Sequence, residues 1–153
     1  MKINTRVLGE IEIDERQVFD FPGGLLGLPE LTRFALIDSG HPPYFYLQSL
    51  CEPYLSFALI SPEIFHPDYR LDVEESELLS LEMEPGKDTE LLVFVIVNFN
   101  DAPLVTANLQ GPLVFNKETG KGCQCVSRNP EYKTRHDVIG EMNALKKKGE
   151  GKC

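Results

Sequence analysis

Leu91-Leu92-Val93-Phe94-Val95-Ile96-Val97-Asn98-Phe99 contains the longest apolar run of the chain, and its reading decides the fold. The run is β-branched and aromatic and carries no charge, so it predicts a central strand buried on both faces. It is far short of the roughly 20 residues needed to span a bilayer. Towards the C-terminus, Asn100-Asp101-Ala102-Pro103 reads as a turn, and strands follow over 104–109 and 113–116, parted by Gly111-Pro112. Lys117-Glu118-Thr119-Gly120 then has the polar, glycine-ended character of a hairpin turn into a strand over 122–127.

Towards the N-terminus, Pro85-Gly86 stops a short helix predicted over 75–83, with Leu78, Leu81 and Leu79 towards one side. Before it lie short strands over 71–73, 57–60, 44–50, 34–37 and 18–21, closed by Ser61-Pro62, Asp38-Ser39-Gly40 and Pro22-Gly23-Gly24. Ile3, Val7, Ile11 and Ile13 are interleaved with charged residues around Gly9, which predicts a strand pair. Many short strands with Gly/Pro turns predict an all-β fold, mainly antiparallel, a barrel or a sandwich, with one short helix. Residues 1–138 are expected to form this one domain. Residues 139–153, with Lys146-Lys147-Lys148 and several glycines, are expected to form a disordered basic tail.

The 153 residues suit a single domain that buries about 70% of its unfolded-chain surface. With 24 acidic against 15 basic residues, the net charge is −9. The acidity is concentrated: residues 63–90 carry 10 acidic and 2 basic residues, whereas 117–153 carry 5 acidic and 9 basic. Such a surface repels nucleic acid phosphate and steers towards basic proteins, although acidity also serves solubility alone. The first residues, MKINTRVLGEIEID, contain no apolar signal region, so the cytoplasm is the expected location. Cys51, Cys123, Cys125 and Cys153 are expected to be free thiols. Residues i and i+2 of a strand have parallel Cβ vectors about 6.5 Å apart, which is poor disulfide geometry.

Catalytic constellations are weak. His41, His66 and His136 are widely separated, and no pair has metal-ligand spacing. Cys123-x-Cys125 supplies two thiolates, but a closed zinc site needs two more ligands. No Gly-x-Ser-x-Gly elbow, phosphate-binding loop or dinucleotide fingerprint is present. No catalytic residue, metal or cofactor is therefore expected. Glu74, Glu75 and Glu77 read either as the solvated start of the short helix or as a patch for a basic partner. Leu25, Leu26 and Leu28, broken by Gly27 and Pro29, read either as a plug for one end of a barrel or as an apolar surface for a partner.

The segment Phe19-Asp20-Phe21-Pro22-Gly23-Gly24-Leu25-Leu26-Gly27-Leu28-Pro29-Glu30 resembles the N-terminal motif of the flagellar assembly factor FliW family. Tyr44-Phe45-Tyr46-Leu47-Gln48-Ser49 stands where that family has its aromatic strand, and the segment from Val105 to Asn116, VTANLQGPLVFN, resembles its second signature. The resemblance spans roughly residues 1–136. Two departures are Gly111, where a small residue such as alanine is expected, and the lysine-rich end of the chain.

The resemblance implies a compact β-barrel-like domain and a non-enzymatic, chaperone-like regulator of flagellum biogenesis. It implies binding to flagellin and to the RNA-binding translational repressor CsrA, in competition, so that flagellin export frees the protein to sequester CsrA. A monomer without nucleic acid or membrane contacts is expected. The hydrophobic contact candidates are Leu26, Leu28, Pro29, Tyr44, Phe45 and Tyr46; the electrostatic candidates for CsrA are Glu74, Glu75 and Glu77. Asn108 is assigned a structural role, bonding backbone. The competing readings are a small β-barrel hydrolase or metal enzyme, which would join Cys123, Cys125 and a histidine, and a structural component of the flagellum. Without the resemblance, the residues support an acidic β domain that is a binding module before it is an enzyme.

Overall fold

The computed structural model describes residues 1–86 and 89–150. Its strands are β1 (Lys2–Thr5), β2 (Gly9–Glu12), β3 (Val18–Asp20), β4 (Arg33–Asp38), β5 (Phe45–Ser49), β6 (Ser56–Ile60), β7 (Leu91–Asn98), β8 (Thr106–Ala107), β9 (Leu113–Asn116), β10 (Lys121–Gln124) and β11 (His136–Asp137), followed by helix α1 (Val138–Glu150). Apart from the hairpin β1–β2, the strands form one sheet in the order β11-β8-β7-β6-β5-β4-β3-β10-β9, and β9 also pairs with β7. That last pairing closes seven strands into a barrel. All ladders are antiparallel except β10 with β3, which meet in parallel at Lys121 and Asp20.

The barrel fills by alternation, because successive strand residues face opposite sides. Phe19, Phe34, Leu47, Leu59, Phe94, Leu113 and Phe115 point inwards from consecutive strands, joined by Phe21. The rings meet edge to face: Phe19 on Phe115 at 5.0 Å, Phe21 on Phe34 at 5.2 Å and Phe21 on Phe115 at 5.5 Å. Such pairs contribute about 0.5–1.5 kcal/mol each beyond burial. Gly122 occupies the inward position on β10, and a Cβ there would lie 2.4 Å from the Phe21 ring. Its missing side chain is the space that ring uses.

Three covers bury the outer faces. The hairpin β1–β2 lays Ile3 and Ile13 over Ala35 and Ile37 of β4. A 3-10 helix, Glu75–Leu81, places Leu81 and Leu78 over Val114 and Cys125. Phe65, Tyr69, Tyr132 and Val138 cover Ile60, Val95 and Val97.

Several expectations are corrected. The strand over 91–99 is not wholly buried: Phe94, Val95 and Val97 are, but Asn98 and Phe99 are exposed. Residues 71–73 form no strand, and 104–109 keeps only β8. The helix predicted over 75–83 is 3-10, has no side-chain cap at Glu74, and stops at Glu82, whose φ is 54°. Three residues per turn put Leu78 and Leu81 on one face and turn Leu79 outwards, 76% exposed.

Where a disordered tail is expected from 139, the chain instead forms α1 up to Glu150. The physical reason is a start signal: Asp137 accepts the Gly140 N–H at 3.0 Å, while Val138 and Met142, one turn apart, pack on the barrel. Residues 151–153, including Cys153, lie outside the described residues.

Gly122→Ala is expected to lower stability by about 1–3 kcal/mol through overpacking against Phe21. Urea unfolding should show a lower midpoint at unchanged slope.

Candidate functional site

The loop after β3 is held from several sides. Gly24 adopts φ +65°, and a Cβ there would lie 2.6 Å from the backbone of Leu28 and Pro29. Leu25 and Leu28 exchange two backbone hydrogen bonds, of 3.2 and 2.9 Å, around Leu26 and Gly27, whose φ is +82°. Leu25 is buried and Leu28 packs on the barrel interior, so both close this end of the barrel. Leu26 at the tip is 55% exposed and Pro29 is exposed. The plug and the surface therefore coexist in one loop, divided between neighbouring residues.

Gln124, which the sequence analysis did not single out, ties both motif segments together. Its Oε1 accepts the Leu26 N–H at 2.8 Å and its Nε2 donates to the Gly111 carbonyl at 3.0 Å. Asn108 accepts the N–H groups of Gln110 and Gly111, each at 3.0 Å, so it has the structural role assigned to it. A Cβ on Gly111 would stand 2.9 Å from the Gln124 amide nitrogen, so that amide would have to move aside for a larger residue.

The aromatic strand divides between the two faces of the sheet. Phe45 points inwards, 5.1 Å from Phe94. Tyr46 packs under the β1–β2 hairpin, and Tyr44 meets the exposed Phe99 at 5.3 Å. All three are half-buried, so they do not form a single patch. Phe45 instead lines the open mouth of the barrel, a cavity of about 640 Å³ with Phe19, Leu36, Leu92 and Phe94 as its apolar wall. Asp14, Arg16, Asp38 and Lys117 line it with charge. Hydrogen bonds from Arg16 hold the Asp14 carboxyl down at about 2, so it stays ionised at neutral pH.

A second groove, of about 500 Å³, runs between Val7 and Phe99 over Tyr46, Ala58 and Val97. Val7 is 53% and Phe99 50% exposed. The sequence placed both in strands and gave no sign that they would face each other.

Glu74 and Glu75 are exposed. Glu77 is not merely a surface charge: its carboxylate accepts the Val126 N–H at 3.1 Å and fastens the 3-10 helix to the chain after β10. Leu79, on the same short segment, is exposed as well.

His66 and His136, widely separated in the sequence, come together on either side of Glu141. Glu141 meets His66 Nδ1 at 2.8 Å and His136 Nδ1 at 3.3 Å. His136 Nε2 accepts the Lys133 N–H at 2.8 Å, so the network assigns its proton to Nδ1, facing Glu141. A metal on that nitrogen would have to displace this proton. The arrangement acts as a clasp joining α1 to the 62–66 turn and β11. His41 lies outside it, and no histidine stands in that cluster with Cys123 or Cys125.

Seven strands closed into a barrel, with outer covers and a loop folded into one end, define a protein of the β-barrel class. Residues 2–138 match the family profile for FliW protein. The flagellar assembly factor FliW of Treponema denticola is 41% identical over 145 residues, 94% of this chain and 97% of that protein. That of Geobacillus thermodenitrificans is 36% identical over 94% of this chain and 99% of its own length. A crystal structure of the flagellar assembly factor FliW superposes with a TM-score of 0.81 at 34% identity, covering 90% of this chain and 96% of that one. The chain belongs to the FliW family. No helix among the described residues is long and apolar enough to cross a membrane.

Leu26→Ala should leave stability within about 0.5 kcal/mol, because its side chain is mostly in water. Leu28→Ala should cost about 1–3 kcal/mol, since it removes packing at the barrel end. Denaturant unfolding of the two variants separates the two roles. Glu141→Ala should speed amide exchange in α1 several-fold while leaving the barrel strands protected.

Proposed function

We propose that this chain is a non-enzymatic flagellar assembly factor that binds flagellin and the translational repressor CsrA in competition. The observation that supports this reading is the segment 74–81, which exposes Glu74, Glu75 and a leucine, Leu79, that is 76% exposed. Exposed carboxylates beside an exposed leucine on one segment suit a basic, partly apolar protein surface. Net charge −9 favours encounter with an RNA-binding repressor and disfavours contact with the RNA itself.

Leu26, Leu28 and Pro29, with Tyr44, Phe45 and Tyr46, are the proposed hydrophobic contacts. Their separation in the structure divides them between the loop, the barrel mouth and the Tyr44–Phe99 edge. An amphipathic helical segment of unassembled flagellin would present its apolar stripe to such a surface. Glu74 and Glu75 are the proposed electrostatic contacts for CsrA; Glu77 supports them by anchoring the segment. The protein acts as a monomer in the cytoplasm, without a cofactor, a nucleic acid ligand or a membrane.

Titration calorimetry with flagellin, with CsrA, and with CsrA after saturation by flagellin tests the reading. Binding to each alone, with CsrA binding lost after flagellin, is expected. Heat from neither partner would overturn it. Glu74→Lys combined with Glu75→Lys should slow CsrA association about tenfold at low salt, with a smaller effect at high salt, in stopped-flow measurements.

A further inference from the structure

Cys123 and Cys125 are two residues apart on one strand end, and their Sγ atoms lie 3.5 Å from each other. Both belong to the cluster beneath Leu78 and Leu81 of the acidic 3-10 helix. Cys125 is fully buried; Cys123 is half-buried and reachable. Parallel strand side chains predict poor bridging geometry, but β10 ends at Gln124, between the two, and the sulfurs converge. The disulfide bond length is about 2.05 Å, so closure needs roughly 1.5 Å of sulfur movement, within the reach of side-chain rotation.

We propose that Cys123 and Cys125 form a reversible dithiol switch, which an oxidant of the peroxide class converts to an intrachain disulfide beneath the Glu75–Leu81 segment. The two thiols have different roles. The hydrogen bond shared by the two sulfurs holds the Cys123 thiol below the ordinary range, with help from Ser80, and together with burial pushes Cys125 up. Cys123, the accessible member of the pair, is the attacking thiolate, and the buried Cys125 is the resolving thiol.

In the first step the Cys123 thiolate attacks one oxygen of hydrogen peroxide. The O–O bond breaks, hydroxide leaves, and Cys123 becomes a sulfenic acid. The Cys125 sulfur then attacks the Cys123 sulfur, the S–O bond breaks, and the departing hydroxide takes the Cys125 proton as water. Overall, two thiols are oxidised to a disulfide and one peroxide is reduced, with its two oxygens leaving as water. A bond bridging a single intervening residue is strained, and strained disulfides are the readily reduced ones.

The full chain carrying Cys51→Ser and Cys153→Ser removes the other two thiols. Treated with a small excess of hydrogen peroxide, it should lose about 2 Da in intact mass and block alkylation of both remaining cysteines, with dithiothreitol restoring both. Adding Cys125→Ser should instead leave a sulfenic acid at Cys123 that dimedone traps. Because that change alters a buried position, Cys123→Ser in the same background provides a second arm and should leave Cys125 unoxidised. Stable gain of oxygen at Cys123 with Cys125 still alkylatable, or no change at a dose that oxidises a free cysteine peptide, would overturn the proposal.

Discussion

One edge of β7 serves two strands, and the barrel depends on it. Residues Leu91 to Phe94 pair with β9, while Val97 and Asn98 pair with β8. The other edge pairs with β6. An eight-residue strand is long enough for β9 to close the ring and for β8 to carry the chain away from it. Closure satisfies backbone groups that an open sheet would leave at its edges. It also fixes which face is interior, because a slip of one residue would turn Phe94 outwards and Val93 and Val95 inwards.

With the interior committed to rings, the two ends of the barrel diverge. Phe21, Leu25, Leu28 and Leu31 pack into one end beneath the loop. At the other, Phe45, Phe94 and Leu92 form the wall of an open cavity. The outer faces are then divided among three covers, and each cover leaves an exposed apolar residue at its margin: Val7 on the hairpin turn, Leu79 on the 3-10 helix, Ile139 on α1. Each of these covers rests on the barrel through only a few side chains.

The strands were legible because alternation and Gly/Pro turns are local signals. β3, β4, β5, β6, β7 and β9 follow from them within a few residues, and family motifs supplied the closed form. Closure itself is non-local: nothing around Leu91 or Asn116 says that they pair. The helix at the C-terminus was readable in part, since Val138, Met142 and Leu145 have helical spacing after Asp137, but the lysines and glycines outweighed them. Glu141 gained its meaning only when folding brought His66 and His136 to it. The candidate site was legible as segments rather than as orientations. Leu26 and Leu28 are two residues apart, and only the φ values of Gly24 and Gly27 decide which is in water.

Gln124, Cys125 and Val126 carry three attachments in succession: to the Leu26 loop, to the buried face under Leu81, and to the Glu77 carboxylate. The apolar loop and the acidic patch thus share one anchor. Two ligands that exclude each other need either overlapping footprints or an element with two arrangements that both ligands bias. The loop is poorly suited to be that element. Gly24, the Leu25–Leu28 bridge and Gln124 each hold it in a single form, and its inner leucines fill the barrel end. Under the proposed function, two ligands that both use this loop would exclude each other by space. The acidic segment is different: it is a 3-10 helix without a side-chain cap, resting on Leu78, Leu81 and two thiols. Those sulfurs lie under the acidic segment and flank Gln124, the residue that anchors the loop, so their packing bears on both.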